Sequence, residues 1–196
     1  TYGAARGMKN FIMITLGTGV GSGIVVDGNL VYGSDGFAGE LGHVAVERGD
    51  DARQCGCGRK GCLETYCSAT GVARTARMML EKSDAPSQLR NLNPDEITSF
   101  DVFKAAEAGD QIAIDIFNYT GEMLGVACSN FALFNAPEAF VFFGGLTKAG
   151  HWIMDPIAKA YDENSLFLFK GKAKLLVSAL NGSEAAVLGA SALGWE

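Results

Sequence analysis

The chain has 196 residues, 48% hydrophobic and 19% charged, and its 16 basic and 22 acidic side chains leave a net charge of −6. These values exclude a disordered chain and allow a substantial core in one or two domains. The acidic balance, without a Lys/Arg block, argues against nucleic acid or an anionic membrane as partner, and no uncharged apolar run reaches the ~18 residues of a membrane span.

In chain order, Phe11 to Leu16 is short, apolar and β-branched, is closed by Gly17, and predicts a buried strand. A second strand is expected over 23–26, with Asp27-Gly28 as a hairpin turn and 29–32 returning antiparallel. Phe37 to Cys62 has no periodicity, and an irregular stretch of that length needs a function or a staple. Ser68 is placed to cap a helix running through Val72, Ala76, Met79 and Leu80. The polar segment 83–98 predicts a surface connection, and a short helix is expected from Ser99 to Ala108. Asp110 to Phe134 reads as a long helix whose buried side carries Ile112, Ile116, Tyr119, Met123, Ala127, Phe131 and Phe134. A strand over 139–143, a helix over 151–163, a strand over 173–177 and a closing helix from Ser183 complete an α/β order without internal repeats.

Glycine is in excess, at 26 residues, and it falls in defined loops rather than in linkers. Between Leu16 and Gly23 it occupies every second position. The run suits either an anion-binding concavity of free N–H groups, helped by the Thr18 and Ser22 hydroxyls, or a turn crowded against another backbone. It lacks the Lys-Ser/Thr of a Walker A loop and the G-x-G-x-x-G spacing of a dinucleotide fold. On the phosphate reading, a branched residue at Gly21 would block the ligand.

Of five cysteines, three lie at Cys55, Cys57 and Cys62, downstream of His43. Three thiolates and an imidazole make a closed tetrahedral zinc set, with Gly56, Gly58 and Gly61 allowing tight turns between them. The same usage points to a reducing cytoplasm. Cys67 and Cys128 are expected in the core. Glu40 and Glu64 flank the metal set; they suit bidentate hydrogen bonds to vicinal sugar hydroxyls, or are two solvated acids. His151 and Trp152 are expected to cap or pack at a helix start, and Lys170, Lys172 and Lys174 to form a solvated strand edge.

Together, Leu16-Gly-Thr-Gly-Val-Gly-Ser-Gly23, Gly39-Glu-Leu-Gly-His43, Cys55-Gly-Cys-Gly-Arg-Lys-Gly-Cys-Leu-Glu64 and Phe143-Gly-Gly-Leu146 closely resemble the ROK family of sugar kinases and repressors. The Glu184 to Gly189 segment agrees as well. The resemblance implies an actin-like, ribonuclease H-like sugar-kinase fold with a zinc-stapled loop. It implies a glucokinase-type parent that moves the γ-phosphoryl of ATP, with Mg2+, onto a hexose hydroxyl. The alternatives are the sugar-sensing domain of a repressor of the same family, and a zinc-stapled scaffold without a ligand.

By the resemblance, Thr18, Gly19, Gly21 and Gly23 belong to a phosphate loop and Gly144 and Gly145 border the adenosine. Glu40, His43 and Glu64 bind sugar hydroxyls, while His43, Cys55, Cys57 and Cys62 hold structural zinc. A homo-oligomer, most simply a dimer, is implied, without membrane or nucleic-acid contact by this domain. Two features depart from the family. The gap from His43 to Cys55 is about two residues longer, with Arg48 to Asp51 as the insert. The family's Asp-x-Gly-Gly-Thr loop and Asn-Asp pair are also missing, so residues 1–196 are expected to be a C-terminal domain whose general base lies upstream of Thr1, inactive in isolation.

Overall fold

A mixed five-stranded sheet in the order β3-β2-β1-β4-β5 organises the computed structural model, which describes residues 3–180 together with 187, 188 and 191. Strand β1 (Phe11–Leu16) pairs antiparallel with β2 (Val20–Val26), which pairs with β3 (Asn29–Leu30). On its other side β1 runs parallel to β4 (Ala139–Phe143), and β4 parallel to β5 (Lys174–Val177). The helices are α1 (Glu64–Cys67), α2 (Ala69–Lys82), α3 (Ser99–Glu107), α4 (Gln111–Asn135) and α5 (His151–Asn164).

The period-2 alternation of β1 buries Ile12, Ile14 and Leu16, and these join Phe140 and Phe142 of β4 in the main core. Against them pack Ile116, Phe117 and Leu124 of α4 and Ile153 and Ile157 of α5. Tyr161 meets the edge of Phe140 with ring centroids 5.7 Å apart. Helix starts follow side-chain acceptors: Ser68 accepts from Gly71 N–H, Thr98 forms a reciprocal capping box with Asp101, and Asp110 accepts from Ile112 and Ala113. Cys67 and Cys128 are fully buried, as expected, and burial pushes both thiols up.

Several expectations need correction. β2 begins at Val20, not 23, because the residues from Val20 onward pair with β1. The returning strand spans only Asn29–Leu30. Phe134 is 90% exposed: the sheet ends at the two-residue β3, and Phe134 flanks a groove with Ile24, Val26 and Val31 instead of entering the core. Segment 83–98 contributes Leu89 and Ile97 to the core. His151 and Trp152 pack at the start of α5 as expected, their ring centroids 4.5 Å apart, with Gly150 at the N-cap position. Of the three lysines only Lys174 lies in a strand. The helix expected from Ser183 lies largely outside the described residues. Among the described residues, no helix is long and apolar enough to cross a membrane.

Urea titration should separate the two aromatic environments. Phe140→Ala is expected to cost about 3–5 kcal/mol, and Phe134→Ser less than about 0.5 kcal/mol.

Candidate functional site

Residues 39–63 are shaped by attachment to neighbouring strands rather than by a core of their own. Ser22 of β2 donates its hydroxyl to the Gly39 carbonyl and accepts from Leu41 N–H at 3.0 Å. Gly42 comes so close to the Val20 carbonyl that a Cβ would collide with it, so no other residue fits that crossing. Residues 44–46 then run beside 61–63: Leu63 N–H donates to Val44 and Val46 N–H to Gly61, each at 2.9 Å. Gly61 adopts φ +77° at this return, with Glu47 against it. A turn from Cys55 to Arg59 closes the loop, Cys55 N–H donating to Arg59 at 2.9 Å and Gly58 N–H to Cys55 at 3.1 Å.

This backbone gathers the donors of His43, Cys55, Cys57 and Cys62 within 4.8 Å of one another. Cys57 Sγ and Cys62 Sγ are 3.6 Å apart, and Cys55 Sγ lies 3.7 Å from His43 Nδ1. Two donors bound to one tetrahedral zinc stand about 3.8 Å apart, whereas a disulfide needs ~2.05 Å. The donor set and its spacing therefore fit a closed zinc site. Burial pushes the Cys55 thiol up to about 12 and also raises Cys62, while a backbone N–H bond at Arg59 lowers the exposed Cys57.

The two acids differ. Glu40 is exposed, with Oε2 3.9 Å from His43 Nε2. Glu64 opens α1 and is half-buried, with Oε1 3.3 Å from Cys55 Sγ and 3.8 Å from His43 Nδ1. Its other oxygen accepts from Val20 N–H at 3.3 Å, so one carboxylate joins the cysteine cluster to the glycine run.

The turn at 17–19 borders two clefts. One, of about 520 Å³, is lined by Thr18, Gly19, Glu64, Thr70 and neighbouring residues. The other, of about 370 Å³ and largely apolar, lies between Gly17, Thr18, Phe100, Phe103, Gly145 and Leu146. Thr70 Oγ1 donates to the Thr18 carbonyl at 2.8 Å and Ala69 N–H to Gly17 at 2.8 Å, which pins the turn to the start of α2. Thr18 and Gly19 thus reach the clefts, whereas Gly21 and Gly23 lie within β2. A Cβ on Gly21 would stand 2.7 Å from Thr15 Oγ1, so a valine there disturbs β1 before it meets a ligand. Gly144 ends β4 against Leu16, and Gly145 lines the apolar cleft.

Arg53 is a residue the sequence reading missed. It is 3% exposed and donates to the Thr65 carbonyl at 2.8 Å, the Gly71 carbonyl at 3.3 Å and Thr75 Oγ1 at 2.9 Å, with its guanidinium 4.4 Å over the Tyr66 ring. Its backbone N–H donates to Tyr66 Oη at 2.9 Å. A charged residue two positions before Cys55 was the available signal, but only the fold shows that it anchors the loop to α1 and α2.

The family model for "ROK family" matches residues 1–196. The chain belongs to the ROK family. A glucokinase of Halalkalibacterium halodurans is 40% identical over 98% of this chain and 57% of its own length. The xylose repressor of Caldicellulosiruptor bescii is 27% identical over 98% of this chain and 47% of its own length. A solved ROK family glucokinase from Streptomyces griseus, in complex with glucose and AMPPNP, matches with a TM-score of 0.85 and 32% identity, over 97% of this chain and 62% of that one. The mixed sheet is therefore that of the ROK sugar kinases, an actin-like ATPase fold. The chain spans 47–62% of the length of these relatives.

Arg53→Ala is expected to lower stability by about 3 kcal/mol in thermal or urea unfolding, because the bonds to three backbone or hydroxyl oxygens are lost in the interior. Arg59→Ala, which removes one exposed bond to the His43 carbonyl, is expected to cost less than about 0.5 kcal/mol.

Proposed function

We propose that this chain is the C-terminal domain of an ATP-dependent hexose kinase, with glucose as the favoured acceptor. The observation that carries the reading is the position of Glu64, which touches the His/Cys cluster with one oxygen and the backbone of the glycine run with the other. A sugar held by Glu40, His43 and Glu64 would stand beside a phosphate chain held at Thr18 and Gly19. The adenosine would occupy the apolar cleft bordered by Gly145, and Mg2+ would arrive with ATP.

On this reading His43, Cys55, Cys57 and Cys62 hold zinc, whose contribution is mechanical: it orders a loop that has no core of its own. With Nδ1 on the metal, the His43 proton sits on Nε2, on the side facing Glu40, and donates to a sugar hydroxyl. Glu40 and Glu64 accept from neighbouring hydroxyls and fix the ring. Backbone N–H groups of the glycine turn carry developing charge on the transferred phosphoryl group. The general base is assigned to the portion of the protein outside these residues. Reduced thiolates suit a cytoplasmic protein, and all five cysteines are free.

A second reading, the sugar-sensing domain of a repressor, draws on the xylose repressor's match across 98% of the chain. The higher identity to a glucokinase and the intact glycine turn favour the kinase.

A hexose panel with Mg·ATP and the complete protein, followed by ADP release, tests the reading. Turnover with glucose is expected; sugar binding without turnover on any hexose would overturn it in favour of the sensor. Metal analysis should find one zinc per chain, and Cys57→Ser should lose it together with sugar affinity. Glu64→Gln is expected to raise the sugar KM about tenfold or more, by removing a charged acceptor.

A further inference from the structure

Arg74 and Arg77 stand one turn apart on α2, and both line the 520 Å³ cleft beside Glu64. Their stems are partly buried, and each guanidinium makes one protein hydrogen bond: Arg74 Nη1 to the Gln54 carbonyl and Arg77 Nη1 to the Pro94 carbonyl, both at 3.3 Å. The remaining donors of both five-donor forks have no partner among the described residues. Neither arginine has a carboxylate within ion-pair distance there, since both such contacts involve His43. Arg53 is near enough that Arg74 adds to the depression that burial imposes on its guanidinium, but it lines a separate cleft with Glu47 and Asp51.

Like charges one turn apart on a helix are destabilising. In a chain of net charge −6, two guanidinium groups that line one cleft without a carboxylate partner among the described residues call for an anion from outside. The opposite wall is built for the same charge. The Thr18 and Gly19 N–H groups, in the turn that lines the cleft, have no acceptor among the described residues. Glu64 is the single acid in the lining, and both its oxygens already have partners.

We propose that Arg74 and Arg77 form a phosphate-group subsite facing the Thr18-Gly19 turn. Their planar forks match two phosphate oxygens at once. The phosphate belongs either to the polyphosphate of a nucleotide or to the ester of a phosphorylated hexose. Those two sources rest on the kinase reading, whereas the subsite itself rests on the arginines and the free N–H groups.

Calorimetry on the complete protein with pyrophosphate, ADP and glucose 6-phosphate tests the subsite without relying on turnover. Arg74→Gln and Arg77→Gln are each expected to weaken pyrophosphate about tenfold or more and to flatten its salt dependence. Of the other two probes, a parallel loss for ADP alone identifies the nucleotide as source, and a parallel loss for glucose 6-phosphate alone identifies the product ester. If a Gln variant melts early, Arg77→Lys carries the test, since it keeps the charge and removes the fork; weaker binding is expected, and unchanged binding overturns the subsite. Unchanged affinity for all three probes in a well-folded double Gln variant also overturns it, as does the absence of binding of any probe to the unmodified protein. If no hexose is phosphorylated yet pyrophosphate binding still depends on Arg77, the kinase reading falls and the subsite stands.

Discussion

The Glu64 carboxylate spans two parts of the fold that have little else in common. One oxygen faces a thiol and an imidazole of the cysteine loop, and the other takes the N–H of the first residue of β2. The loop from Gly39 to Leu63 contributes few residues to the main core, so its position depends on such polar contacts and on the His43, Cys55, Cys57 and Cys62 cluster. A metal ion would be worth as much here as the entire stability of an ordinary domain, ~10–16 against about 5–15 kcal/mol. Glu64 ties the loop to the glycine turn through the Val20 N–H.

Division of labour follows from packing. The sheet and the α4–α5 pair form a densely packed apolar slab, and the clefts open beside the ends of its strands, at the turn after β1 and the glycines after β4. Strand ends suit this task because their backbone N–H groups are not consumed by the sheet, while the strands themselves hold them still. Arg53 performs the equivalent service for the cysteine loop by bonding to α1 and α2 from a buried position.

Much of the fold was legible because its signals are local. The 2-residue alternation of Phe11–Leu16, the caps at Ser68 and Asp110 and the glycines after Phe143 each depend on a few adjacent residues. Phe134 was misread because helical spacing tells which side a residue occupies, not whether the sheet extends far enough to cover it. The glycine run was half-legible. Its composition marks a turn of unusual backbone freedom, but the pairing register with β1 decides that Gly21 lies against Thr15 while Thr18 and Gly19 reach the clefts.

The sequence by itself determined the donor chemistry and the family, because three cysteines and a histidine at that spacing, followed by glutamate, are a property of residue identity and order. Only the tertiary structure decided which groups face one another. That Glu64 joins the His/Cys cluster to β2, that Arg53 anchors the loop, and that Arg74 and Arg77 line one cleft without a carboxylate partner among the described residues all involve contacts across elements. Such contacts depend on how helix, loop and strand are set against one another in space, which no local spacing records.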